Sequence, residues 1–297
     1  MRPLRALLIY IAVVFLGGAL LGPWLCWLAR ELAPVFPKFA QEPFHRYVNR
    51  SFELLALAGL WPLLRALGAT SPRDIGLSRP SGQLKPLGGG FIIGFLSLAV
   101  VTGLVLATGA RHLNESLPAA QLARKLLAAA ATAAATAIIE EILFRGALFG
   151  SLRKVFDWRF ALLLSSAVYA LVHFLDKAKD PETVTWFSGL RLLPGMLHGL
   201  ADGQTVVPRF LNLTMAGMVL GVAYQRTGTL YCSVGLHAGW IFWLKSYGIV
   251  SVQTSPARAW WWGTDRMIDG WLALPVLVAT LFLLTRVLAD RDRKTAA

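Results

Sequence analysis

Hydrophobic positions in this chain do not alternate with polar ones. They come in long, nearly unbroken runs joined by short polar stretches, at residues 6–29, 51–68, 87–108, 126–149, 160–175, 209–225, 229–248 and 271–289. Most runs approach the ~20 residues that an α-helix needs to cross the hydrocarbon of a bilayer. With no water in that layer, every backbone N–H and C=O must be paired internally, which leaves helices or closed barrels. Barrel strands would show an in–out alternation, and none is visible. The pattern predicts an all-α, polytopic transmembrane helical bundle of about eight spans, a single integral membrane domain over residues 1–297. Arg2 and Arg5 precede the first run. That run exceeds the apolar core of a signal peptide, about 7–15 residues, so it is expected to be the first span.

Two joints differ from the rest. Residues 30–50 mix Pro34, Pro37 and Pro43 with Phe36, Phe39, Phe44 and Tyr47, the composition of a segment lying at the membrane interface. Residues 176–208 open with Asp176, Lys177, Lys179, Asp180 and Glu182 and form the longest expected loop, placed to gate a site. Trp260, Trp261, Trp262 and Trp271 read as an interfacial aromatic belt.

Composition removes whole classes of function. Only 15% of the residues are charged and 56% are hydrophobic, with a mean hydropathy of +0.57. A soluble domain carries about 25% charged residues, so a soluble enzyme is excluded. The formal charge of +13 would admit nucleic acid as a partner. However, the basic residues, among them Arg30, Arg46, Arg50, Arg153 and Lys154, stand at the ends of apolar runs. That placement suits anionic lipid headgroups and not a basic groove. Lysine and arginine are shared almost equally between the two sides, so the positive-inside rule selects no orientation. The short loop with Arg153, Lys154 and Arg159, together with the basic tail, favours both termini in the cytoplasm. Cys26 and Cys232 lie inside apolar runs without disulfide or metal spacing, as small buried hydrophobes.

Charge inside a span is costly and marks chemistry. The Ala-rich fourth run, suited to close helix packing, ends in Glu140, Glu141, Ile142, Leu143, Phe144, Arg145 and Gly146. Glu141 and Arg145 are four residues apart and share a helix face, where they can pair. Glu140 points about a third of a turn away, free to face a cavity. The fifth run carries Tyr169 and His173 at the same spacing. The seventh carries His237 among Gly235, Ala238 and Gly239, small neighbours that leave room for substrate or for another helix. One glutamate and two histidines from three spans permit two chemistries. They can hold zinc with an open position for water. Alternatively, Glu140 can act as general base on water while the histidines position it and stabilise the oxyanion.

The sequence Glu140-Glu141-x-x-x-Arg145, followed by Tyr169-x-x-x-His173 and then His237, resembles the motif series of the CPBP family of intramembrane proteases. That family includes the CAAX prenyl endopeptidase and bacterial relatives linked to bacteriocin processing. Its motifs EExxxR, FxxxH and HxxxN fall in order within a core of residues 126–246. Two positions depart from the pattern: Tyr169 stands for Phe, and Ile241 stands for the final Asn. Asn212, polar and near a span end, is a candidate to replace that lost amide. The resemblance implies an intramembrane peptidase in which Glu140 activates water, with His173 and His237 holding water and oxyanion. Glu141 and Arg145 keep the geometry, and Tyr169 supports it. The metal-independent mechanism, with no cofactor, is preferred; a zinc enzyme using Glu140, His173 and His237 is the alternative. The expected substrate is a membrane-associated protein or peptide reached through the lipid bilayer, with no nucleic acid partner, and the expected location is a bacterial inner membrane. A non-catalytic membrane scaffold and a proton-coupled carrier are the rival functions.

Overall fold

The computed structural model describes residues 2–174, 179–196, 203–254 and 258–296. Helix α1 (Arg2–Ala12) runs through a π-helical segment, Val13–Gly17, into α2 (Gly18–Glu31). There follow the single turn α3 (Pro37–Ala40), α4 (Phe44–Ala66), α5 (Leu84–Ala107), β1 (Arg111–Leu113) and α6 (Ala119–Glu141). A second π segment, Ile142–Phe149, carries α6 into α7 (Gly150–Leu152). Next come α8 (Trp158–Val172), α9 (Ser188–Met196), α10 (Gly203–Thr227), α11 (Tyr231–Val250), β2 (Ser251–Gln253), α12 (Ala259–Trp262) and α13 (Ala273–Ala296). The fold class is all-α; β1 and β2 pair antiparallel over three residues each. A helix occupies each of the eight apolar runs. Among the described residues, four helical stretches are long and apolar enough to cross a membrane by length and composition: Leu4–Glu31, Leu84–Ala107, Ala119–Leu152 and Val206–Thr227. Trp158–Val172 and Ala273–Ala289 are shorter apolar helices. The chain is an integral membrane protein.

Within the segment 30–50, α4 starts at Phe44 and takes the last seven residues. Pro43 stands at the N-cap in an extended conformation, where a missing N–H costs nothing. Of the expected 176–208 loop, residues 176–178 and 197–202 lie outside the described residues. Between them, Ser188–Met196 forms α9.

The chain divides into two compact units. The first comprises Met1–Thr70 and Val172–Asp202. Here Val14, Ala19 and Cys26 pack with Phe44, Tyr47, Val48 and Phe52 of α4 and with Leu192 and Met196 of α9. His45 ties down the later segment: its Nδ1 lies 3.0 Å from Asp180 Oδ2, and its backbone N–H donates to Asp180 Oδ1 at 2.6 Å.

The second unit comprises Ser71–Leu171 and Gly203–Ala297, with α11 at its centre. Lipid tails are as apolar as leucine, so helices in a membrane associate by close van der Waals contact through small residues. Glycines meet reciprocally here. A Cβ on Gly94 would lie 2.1 Å from the Leu236 carbonyl oxygen, and one on Gly235 would lie 2.0 Å from that of Leu87. Gly90 and Gly239 repeat the contact one turn along. On the α6 side of α11, Ala133 and Ala137 pack against Ile241. Leu98, Val101 and Val105 of α5 join Leu236, Trp240 and Tyr247 of α11 and Leu277 and Leu284 of α13 in the main core. The glycine seam sets α11 against α5 and leaves its other face to meet α6.

Candidate active site

The site forms where the C-terminal end of α6 faces the middle of α11. Ala133, Ala137 and Glu141 recur at four-residue spacing and are all buried, so the stripe that packs on Ile241 also delivers Glu141 one turn later. Glu141 has no exposed side-chain surface, and Arg145 has 3%. Arg145 Nη1 donates to Glu141 Oε1 at 2.9 Å, the pairing expected from their spacing, although the helix winds as π from Ile142. Such π segments are rare and often lie at functional sites.

Glu141 does more than hold the helix end. The same Oε1 is 2.8 Å from His237 Nδ1. A carboxylate already taken by an arginine only accepts, so Nδ1 carries the hydrogen and donates it. The tautomer of His237 follows, with Nε2 turned to the opposite side. There it meets two groups: the Tyr169 hydroxyl at 3.2 Å and Glu140 Oε2 at 3.7 Å. Tyr169 is itself held. The Arg145 guanidinium lies over its ring at 4.7 Å, and Phe144 meets it edge-on with centroids 5.0 Å apart. Arg145 also donates through Nη2 to the Gly217 carbonyl at 3.3 Å, which links the cluster to α10.

The two glutamates therefore have different environments. Glu141 is sealed and neutralised, whereas Glu140 keeps 24% of its side chain exposed at the rim of the cluster. A low-dielectric site strengthens each interaction that is satisfied and penalises each that is not. The arrangement fixes an imidazole between a buried carboxylate and a half-open one.

The second unit brings together five of the residues singled out from the sequence: Glu140, Glu141, Arg145, Tyr169 and His237. His173 stands in the turn directly after α8, half-buried, and belongs with Val172–Asp202 to the first unit. Asn212 is buried in α10, and its Nδ2 donates to the carbonyls of Ile268 and Gly270, both at 2.8 Å. Both amide hydrogens are committed to the 263–272 loop. Ile241 is 6% exposed in its apolar cluster with Ala133 and Ala137. Sequence reasoning missed two links, Glu141 to His237 and Tyr169 to His237. Neither has a sequence signal, because each joins helices far apart in the chain. Among the described residues, no three of His, Cys, Asp and Glu gather as a metal site.

Ionisable groups gather at the end of an apolar helix, with one carboxylate sequestered and another at the rim. Residues 122–243, which run from α6 to α11 and include every motif residue, match the family model of the type II CAAX prenyl endopeptidases, Rce1-like. The match supports an intramembrane endopeptidase of CAAX type. No match arises among curated proteins or solved structures.

Proposed function

We propose that the protein hydrolyses a peptide bond of a membrane-associated protein or peptide by attack of a water molecule activated by Glu140. Water bound at the Glu140 carboxylate gives it a proton as its oxygen adds to the scissile carbonyl carbon. The carbonyl π-electrons move onto oxygen to form a tetrahedral oxyanion. Collapse breaks the C–N bond, and Glu140 returns the proton to the departing amine. One water is consumed, one carboxylate and one amine are made, and no acyl-enzyme forms. A positioned base of this kind supplies about 10²–10⁴-fold in rate.

The observation that carries this reading is the division of labour between adjacent carboxylates. Glu141 is spent on Arg145 and on His237, whereas Glu140 sits at the rim, 3.7 Å from His237 Nε2. His237 lies beside the water, held in place by Glu141. The resemblance to the family motif gives His173 the task of positioning water and oxyanion. Asn212, whose hydrogens serve the 263–272 loop, has a structural part only. The glutamate mechanism needs no metal, and purified enzyme is expected to keep its activity in chelator; activity lost to chelator and restored by zinc would overturn that choice. The primary test is cleavage of candidate peptides by the reconstituted protein and by Glu140→Ala. Cleavage abolished in the variant supports the reading. Equal cleavage by the variant, or solute flux without cleavage by the wild type, refutes it.

A further inference from the structure

Tyr169 occupies a position where the family motif has phenylalanine, and its hydroxyl lies 3.2 Å from the outward nitrogen of His237. A neutral imidazole has one N–H. In His237 that hydrogen lies on Nδ1 and is donated to Glu141, so Nε2 is an acceptor and has nothing to offer a negative oxygen. Ile241, one turn further along α11, is apolar and packed on Ala133 and Ala137. Neither residue of the third motif can donate a hydrogen bond in the resting site. The Tyr169 hydroxyl can, and its ring is fixed by Arg145 on one face and Phe144 at the edge.

We infer that Tyr169 is a catalytic residue of this protein: its hydroxyl donates to the oxyanion, in the place left without a donor by Ile241. The inference rests on the proposed Glu140 mechanism. At rest the hydroxyl hydrogen points to His237 Nε2. As the carbonyl oxygen becomes negative, it becomes the stronger acceptor and takes that hydrogen bond, at no cost in new desolvation because the phenol is already buried. No proton is transferred and no bond is made or broken at Tyr169.

The test is Tyr169→Phe, which keeps the ring and its contacts and removes one oxygen. Loss of an oxyanion donor lowers kcat by about 10²–10³-fold. The expected result is that loss with KM and thermal midpoint unchanged, because a purely structural hydroxyl would move the midpoint and spare kcat in the folded fraction. Should the variant fold poorly, fluorinated tyrosine introduced at position 169 preserves shape and makes the phenol more acidic. The stronger donor should change kcat at fixed pH, and an unaltered kcat overturns the inference. A Tyr169→Phe enzyme with kcat within twofold of wild type also overturns it. If Glu140→Ala is inactive in the same assay, the base mechanism survives that failure; if Glu140→Ala still cleaves, the mechanism itself is wrong.

Discussion

Replacing Glu141 with alanine should damage the protein more through stability than its distance from any substrate would suggest. Its carboxylate accepts from Arg145 at 2.9 Å and from His237 at 2.8 Å, and neither partner has more than 4% of its side chain exposed. Removal leaves the Arg145 charge buried without a counter-ion, a change that costs about 3–5 kcal/mol. That is a large part of the ~5–15 kcal/mol by which folded proteins are stable. It corresponds to a fall in thermal midpoint on the order of 10 °C. Cys26 and Cys232 are 1% and 4% exposed, so their reaction with a thiol reagent on heating in detergent reports unfolding. Arg145→Met should cost a similar amount. The double variant Glu141→Met with Arg145→Met should lose far less than the sum, because no charge is then stranded. Single variants that melt within 2 °C of wild type, or a double variant equal to the sum, would refute the buried-network argument; 2 °C corresponds to about 1 kcal/mol or less for a domain of this size.

Packing and loop contacts give further predictions. Gly235→Leu should prevent folding, because even a Cβ there meets the Leu87 carbonyl oxygen at 2.0 Å; Gly88→Ala, with nothing within 4 Å, should express and melt as wild type. Asn212→Ala removes two hydrogen bonds to the 263–272 loop and should cost about 1–3 kcal/mol locally. That loss should read out as faster amide exchange in the loop, with peptide cleavage retained by the folded protein.

Much of this architecture is legible in the sequence because the bilayer enforces a simple rule: apolar, unbroken and long means helix. The run at 209–225 falls within α10, and the run at 87–108 ends on the C-cap of α5, for that reason. The rule fails where a helix is sheltered by protein. Helix α4 begins among His45, Arg46, Asn49 and Arg50, residues that no hydropathy window would admit. Helix α11 has the length but carries Ser233, His237, Lys245 and Ser246 and is absent from the four helical stretches apolar enough to cross a membrane. Buried between α5 and α6, it does not need a fully apolar surface. At the site, the Glu141–Arg145 pair follows from spacing on one helix. The contacts of His237 do not, since they depend on how the glycine seam rotates α11. The π winding after Glu141 is equally invisible, as a shift from four- to five-residue hydrogen bonding has no side-chain pattern of its own. Small residues at 235 and 239 had two possible meanings, space for substrate or contact with a helix; the structure gives them to α5.

The central claim is that two neighbouring carboxylates, one sequestered and one working, divide structure from chemistry. Single-turnover cleavage of a peptide by proteoliposomes carrying Glu140→Gln tests it most directly. The substitution keeps the size of the side chain but removes its basicity. The account predicts a rate reduced by at least about 10²-fold with an unchanged thermal midpoint. Cleavage at the wild-type rate, or an inactive variant that has also unfolded, would contradict it.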